Sequence, residues 1–358
     1  MAVFKILAIN PGSTSTKIAV YENEQLIFSK SIKHEREELR PFAKITHQHE
    51  FRKDIIVKEL NDQQISLSDF SAIVGRGGLL RPIPSGVYEV NQAMIDDLHH
   101  GRQGEHASKL GGLIAIEMAK EIPGCKAFIA DPVVVDELQP VARITGHPAF
   151  QRVSIFHALN QKAVARHYAR EIKKPYEELN LVVAHLGGGI SVGAHCKGKV
   201  IDVNNALDGD GPFSPERAGT LPAFALAKLC FSGTYTLAEV QKMITGEGGL
   251  VAHLGTNQFT TVCDWVVEGR ADAKLIFDAM AYNVAKAIGA MAVVLKGKVD
   301  AILLTGGMAH SELFVEQIRE QVAFLAPIKI FPGEDEMVAL AMNGLAVLRG
   351  EEELKHYT

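Results

Sequence analysis

Cysteine is scarce and scattered. Cys125, Cys196, Cys230 and Cys263 are the only four among 358 residues, and no C-x-x-C pair occurs. A zinc ribbon and a thioredoxin-type motif are thereby excluded, and isolated thiols in a chain this long suit a reducing compartment. Neither sign of charge dominates: 37 Lys+Arg stand against 42 Asp+Glu, a formal net charge of −5. Binding a polyanion calls for the opposite balance, so no nucleic-acid partner is expected. Long apolar runs are missing as well. The longest helical one, Ala279–Leu295, is interrupted by Asn283 and Lys286, which argues against a membrane span. The opening run Val3–Ile9 carries Lys5 within it and reads as a strand rather than a signal peptide. These absences point to a cytoplasmic protein with no membrane partner.

What is present points to a globular chain. Hydrophobic residues make up 47% and charged residues 22%, enough to build a core. The length exceeds the roughly 250–300 residues at which single cores stop growing, so two domains are expected. Val3–Ile9 and Lys17–Tyr21 are β-branched runs around a polar turn, a hairpin that Gln25–Ile32 continues. Residues 34–40 form a charge run, read as a solvated face. Phe51–Leu60 reads as a helix, Ala72–Gly75 as a buried strand, Glu105–Glu121 as a helix and Cys125–Ala130 as a strand. Gln139–Phe150, with prolines and no periodicity, reads as a crossover between halves.

The second half repeats the plan. A helix at Gln161–Lys173 precedes strands at Asn180–Leu186, Ile190–His195 and Lys199–Val203. Helices at Pro222–Cys230, Leu237–Ile244 and Asp272–Leu295 lead to a strand at Ala301–Thr305. Helices at Glu312–Phe324 and Glu334–Arg349 follow. Each half thus opens with antiparallel strands and then alternates helix with strand, a repeated β-β-β-α-β-α order within the α/β class.

Three turns carry the chemistry. Asn10-Pro-Gly-Ser-Thr-Ser-Thr-Lys17 offers hydroxyls, backbone N–H groups and a lysine, donors that a triphosphate tail needs because its oxygens only accept. An ordinary surface hairpin would look the same. Gly187-Gly-Gly189 ends a buried strand and lets bare backbone approach a ligand. His185 beside it fits either a phosphate donor or a satisfied strand-end histidine. Gly306-Gly307 again follows a β-branched run and precedes a helix, a place for a nucleoside to pack. Gly193–Val200 nearly spells a P-loop, but it lacks the Ser/Thr and lies between two strands, so it reads as a hairpin tip.

In this order the turns resemble the acetate and sugar kinase, Hsp70 and actin superfamily, and within it the acetate kinase branch. The resemblance runs from the first strand to the last helix. It is sharpest at Ala8–Lys17, Val74–Gly78, Ser154–Asn160, His185–Gly189 and Asp208-Gly-Asp-Gly-Pro-Phe-Ser-Pro-Glu-Arg-Ala-Gly219. It implies an α/β fold of duplicated ribonuclease-H-like domains with an interdomain nucleotide cleft. Residues 1–145 and a returning 338–358 would form the first domain. Residues 146–337 would form the second, binding nucleotide and joining subunits into a homodimer or larger assembly. The implied partners are ATP/ADP, Mg2+ and a short-chain fatty acid: butyrate first, with acetate, propionate and isobutyrate as alternatives. A nucleotide-driven module of Hsp70 or actin type is the reading of another class; the arginines below speak against it.

The residue assignments follow from the same resemblance. Arg76 matches the arginine on the substrate carboxylate, and Arg217 the one on the transferring phosphoryl group. His157 matches a donor to the phosphoryl oxygens. Asp131 matches an aspartate that orients metal-bound water or substrate, with a helix N-cap before Pro132 as the rival reading. Asn10 and Glu336 match the metal side, though Glu336 equally suits the first turn of a helix. Ser13, Ser15, Lys17, His185, Gly187, Gly188 and Gly189 fall to the phosphates, and Gly306 and Gly307 to adenosine. One departure stands out: Gln258-Phe259-Thr260 replaces the Asp-Phe-Arg of acetate kinases near the nucleotide.

Overall fold

The computed structural model describes residues 2–100 and 107–358. Their contacts form two compact units, Met1–Val135 with Asp335–Thr358, and Asp136–Glu334. Both divisions fall earlier than the 145/146 and 337/338 expected from sequence. Local bonding explains the first shift. Val135 still pairs with Ile83, whereas Asp136 is forked by Arg143 at 2.6 and 2.7 Å. Glu137 is bound to Lys162 at 2.7 Å.

In the first unit, β1 (Lys5–Pro11), β2 (Ser15–Glu22) and β3 (Gln25–Lys33) form an antiparallel meander. β4 (Phe70–Arg76) runs parallel to β1, and β5 (Val87–Glu89) lies antiparallel to β6 (Lys126–Ala130), which runs parallel to β4. The second unit repeats this. β7 (Asn180–Leu186), β8 (Ile190–Cys196) and β9 (Lys199–Val203) form the meander. β10 (Ala301–Gly306) lies parallel to β7, and β11 (Ile328–Pro332) parallel to β10. β12 (Leu354–Lys355) closes the first sheet beside β5.

The sheet orders are β12-β5-β6-β4-β1-β2-β3 and β11-β10-β7-β8-β9. Five strands correspond one to one: β3-β2-β1-β4-β6 and β9-β8-β7-β10-β11. This is the duplicated ribonuclease-H-like α/β fold.

Period-two burial sets the layers. In β7, Val182, Ala184 and Leu186 face one core with Phe277, Met280, Val284 and Ile288 of the helix Ala271–Val294. Leu181 and Val183 face another with Ala165 and Tyr168 of the helix Ala158–Glu171. Helix Ala271–Val294 is long and apolar enough to cross a membrane by length and composition, but its apolar stripe is spent on this core. In the first unit the last helix, Glu336–Leu348, lies on the sheet; a Cβ at Gly344 would come 2.6 Å from Val74 Cγ2.

The charge run contains one helical turn, Arg36–Leu39, with nothing buried. The near-P-loop is the β8–β9 hairpin, with Lys197 and Gly198 both at positive φ. The expected helix from Glu105 spans Lys109–Lys120; Glu105 and His106 lie outside the described residues. Sequence reasoning missed β5, β11 and the helices Gln92–His100, Gly249–Leu254 and Phe259–Val267.

Candidate active site

The candidate residues gather in two clusters, one within each unit. In the first, β4 delivers Arg76 at its last position, and the first turn of helix Glu336–Leu348 delivers Glu336. Arg76 Nη1 donates to Glu336 Oε2 at 3.1 Å and Nη2 lies 3.0 Å from Oε1. This two-pronged grip matches a planar cation to a planar carboxylate. Asn10 from β1 joins them: its Nδ2 donates to Glu336 Oε2 at 2.5 Å, and its Oδ1 accepts from Arg76 Nη1 at 3.3 Å. Glu336 is nearly buried, at 8% side-chain exposure against 22% for Arg76, and it sits where the helix dipole favours an anion.

The glycines around Arg76 have a packing role. A Cβ on Gly75 would overlap the Gly111 carbonyl of helix Lys109–Lys120, and one on Gly78 would lie 2.7 Å from Lys109 Cα. Strand and helix therefore meet backbone to backbone.

Asp131 directly follows β6, with φ at +37°, and is 1% exposed. No helix follows it, so the N-cap reading fails. Its Oδ1 accepts from Ser85 Oγ at 2.7 Å and from the Gly86 N–H at 2.9 Å. The carboxylate thus pins the 85–86 turn, and the strain of its left-handed backbone is held by that bonding.

The hairpin Pro11–Thr16 leaves Ser13 and Lys17 exposed and Ser15 half-buried. Its carbonyls are gathered from within by Arg52, which sequence reasoning missed. Arg52 Nη1 donates to the Gly12 and Ser15 carbonyls at 2.8 and 3.0 Å and to Thr16 Oγ1 at 3.1 Å. Its Nη2 donates to the Ser13 carbonyl at 3.1 Å, and Gln48 Oε1 takes its Nε and Nη2 protons. Burial pulls this guanidinium down to about 10. The signal was there to read: Arg52 shares the helical stripe of Ile56 and Leu60, both buried. A cation on the apolar stripe has to be bonded internally.

In the second unit the three glycines of the β7–β8 turn differ in role. A Cβ on Gly189 would overlap the Arg217 guanidinium, so this glycine makes room for an arginine. One on Gly187 would sit 3.0 Å from both Glu334 Oε1 and His185 Nε2. Gly188 is the open one, with only Glu216 Oε2 at 3.7 Å. Ser214 Oγ donates to the Gly188 carbonyl at 2.6 Å, which ties the segment Asp208–Gly219 to the turn. Arg217 Nη1 donates to the Ala206 carbonyl. Burial lowers the Arg217 pKa, against the opposite pull of Glu216 and Asp208.

His157 caps the helix Ala158–Glu171 and stacks on His185, ring centroids 3.8 Å apart and planes 10° from parallel. His185 Nδ1 lies 2.8 Å from Asn160 Oδ1 and Nε2 3.1 Å from Glu334 Oε1. Gly306, at φ +91°, abuts the Leu186 backbone, whereas nothing lies within 4 Å of a Cβ on Gly307. Gly306 is thus conformational and Gly307 open to a guest. Phe259 of the Gln258–Thr260 segment packs against Phe277 and Phe314.

Relatives decide what such a site belongs to. The acetokinase family profile matches residues 150–335. Butyrate kinase 2 of Clostridium acetobutylicum is 57% identical over 99% of this chain and 99% of its own, and that organism's butyrate kinase 1 is 54% identical over 99% and 100%. The chain belongs to the acetokinase family. Among solved structures, Porphyromonas gingivalis acetate kinase superposes with a TM-score of 0.80, covering 96% of this chain and all of that one. At 18% identity that is a likeness of fold. The acetokinase segment takes in His157, His185, the three glycines, Arg217 and Gly306-Gly307. Asn10, Arg76 and Asp131 lie before it and Glu336 just beyond.

Proposed function

We propose that this acetokinase transfers the γ-phosphate of ATP to butyrate, giving butyryl phosphate and ADP, reversibly and by direct in-line displacement. The observation that carries the reading is identity above half, end to end, with two butyrate kinases. A carboxylate is ionised at neutral pH and needs no general base. The barrier is its repulsion by the phosphate, so the site must supply positive charge.

Arg76 is the carboxylate receptor in this reading. Its fork already matches a carboxylate, that of Glu336, and the butyrate carboxylate would take the same two-pronged grip. Arg217 and His157 serve the moving phosphoryl group. Gly188 and the hairpin bearing Ser13, Ser15 and Lys17 serve the phosphate tail, with Arg52 bracing that hairpin from inside. His185 positions His157 through ring stacking, Gly307 faces adenosine, and Asp131 acts by holding the 85–86 turn.

The donor chemistry fits Mg2+. Asn10 and Glu336 offer an amide and a carboxylate oxygen, and magnesium completes its shell with phosphate and water. Among the described residues no group of three or more His, Cys, Asp or Glu is placed to hold a metal by itself. Bound there, the ion would neutralise phosphate charge. Glu336 and Asn10 would hold it, and Arg76 would remain for the substrate carboxylate.

A hydroxylamine trap of acyl phosphate, run with ATP across acetate, propionate, butyrate, isobutyrate and valerate, tests the proposal. Butyrate should give the highest kcat/KM. Absence of hydroxamate from every acid would refute it.

A further inference from the structure

Behind the stacked histidines runs a string of buried side chains. Tyr176 Oη lies 2.7 Å from His195 Nδ1, and His195 Nε2 lies 2.9 Å from Gln161 Oε1. Gln161 Nε2 lies 2.8 Å from Ser191 Oγ, which lies 2.9 Å from His157 Nδ1. His195, Gln161 and Ser191 are wholly buried. Water cannot correct a mismatched donor here, so every proton must have a partner within the string.

The donors can be assigned from groups that have only one possible role. The Ser191 carbonyl can only accept, and Gln161 faces it at 3.1 Å. The amide nitrogen must therefore stand on that side, leaving Oε1 toward His195. Oε1 also only accepts, so His195 Nε2 carries a proton. Burial holds the His195 pKa well below the usual imidazole value. The ring is therefore neutral, Nδ1 is bare, and the Tyr176 hydroxyl donates to it.

The other end of the string is equally constrained. Ser191 Oγ receives a proton from Gln161 Nε2, with the backbone N–H of His157 at 3.5 Å. Among the described residues the hydroxyl's own proton has one acceptor within reach, His157 Nδ1.

We propose that Gln161 and Ser191 are positioning residues that hold His157 as the neutral tautomer protonated at Nε2, the form that offers an N–H to a phosphoryl oxygen. Its effect on rate rests on the reading of His157 as a phosphoryl donor; the tautomer itself does not. The same logic gives the stacked partner the opposite proton. Thr305 Oγ1 donates to the Gly333 carbonyl and accepts from Asn160 Nδ2. Asn160 Oδ1 is left to accept from His185 Nδ1. The two parallel rings thus differ at Nδ1, bare in His157 and protonated in His185, whose Nε2 faces Glu334 Oε1 at 3.1 Å.

The test is a two-bond proton–nitrogen correlation spectrum of full-length protein labelled with 15N-histidine, with His157 assigned by its loss in His157→Gln. His157 should show a pyrrole-type Nε2 and a pyridine-type Nδ1. Ser191→Ala and Gln161→Met should each give mixed tautomers at His157. Each should also lower kcat on the order of 10–100-fold while moving either KM by no more than about twofold. Ser191→Thr, which keeps the hydroxyl, should recover most of the loss. A protonated Nδ1 on His157 in the unmodified protein overturns the proposal, whether or not the variants fold. So does a Ser191→Ala protein with an unchanged His157 spectrum and unchanged kcat. A protein that phosphorylates no carboxylate but shows the Nε2 proton sustains the tautomer and refutes the reading of the reaction.

Discussion

Arg76 and Glu336 stand 260 positions apart, yet the arginine meets both oxygens of the glutamate at 3.1 and 3.0 Å. In the proposed reaction a carboxylate from the chain would compete with the carboxylate substrate for this one guanidinium. Glu336→Ala should tighten metal-free butyrate binding, measured by isothermal titration, while abolishing turnover. Arg76→Ala should mainly raise the butyrate KM. Equal metal-free affinities in Glu336→Ala and the unmodified protein would remove the competition.

Arg217 and Gly189 should behave as one unit. Arg217→Ala should lower kcat by roughly 10²–10³ with little change in either KM, as expected when a preorganised donor to a transition state is lost. Added guanidinium should restore part of the activity. Gly189→Ala should mimic that loss, because the new methyl group collides with the guanidinium. Gly188→Val should instead weaken ATP binding, since Gly188 has space around it. Retained kcat in Arg217→Ala would sink the mechanism and leave the fold standing.

Arg52→Met should damage the hairpin from below. It takes a donor from three carbonyls and two side-chain oxygens, of which the Ser15 carbonyl keeps the Gly12 N–H and Thr16 Oγ1 keeps His34. Buried unsatisfied acceptors cost about 1–3 kcal/mol each before relaxation. A lowered melting temperature with a raised KM for ATP is the expected pair of outcomes. An ATP KM that stays put would mean the hairpin does not serve the phosphates.

Acid should destabilise the protein through buried neutral histidines. Burial and the nearby Arg52 charge hold His34 down to about 4, and burial holds His195 well below its ordinary value. Such a ring takes its proton more readily in the unfolded chain, which then binds more protons than the native state. Stability should be full above about pH 6.5 and fall as pH drops toward 4. Urea titrations across that range check the slope, which His34→Gln should flatten.

The second unit carries apolar surface that its own core does not cover. Phe231 is 91% exposed, Phe224 74% and Leu275 68%, and the helix Ala223–Cys230 buries no residue. We expect a homodimer or larger assembly that buries part of this exposed apolar surface. Sedimentation as a 38.9 kDa monomer at micromolar concentration would count against it, and Phe231→Asp should weaken the association.

Most of the fold was legible because both meanders carry an alternating or wholly apolar pattern. Asn180–Leu186 and Lys199–Val203 even begin and end as expected. The short strands β5 and β11 were missed: β5 has only three residues, and β11 buries its alternating isoleucines only in part. Arg76, His157 and Arg217 were singled out through the resemblance of Val74–Gly78, Ser154–Asn160 and Asp208–Gly219 to acetate kinases. The partners that hold them were harder. Gln161 and Ser191 look like ordinary polar residues until a helix and a strand bring them to one histidine. The glycine triplet illustrates the remaining gap. Its composition suggested backbone open to a ligand throughout, but Gly189 is there for a neighbouring guanidinium.

The second unit is an uninterrupted stretch lodged between the two pieces of the first. On a ribosome, Asn10 and Arg76 emerge long before Glu336. Until the helix Glu336–Leu348 arrives, the first sheet lacks part of its covering layer, and Arg76 has no acid to hold. The Arg76–Glu336 pair therefore forms only after the whole second unit has emerged, and a chain stalled before residue 335 would carry a folded second unit and an unfinished first one.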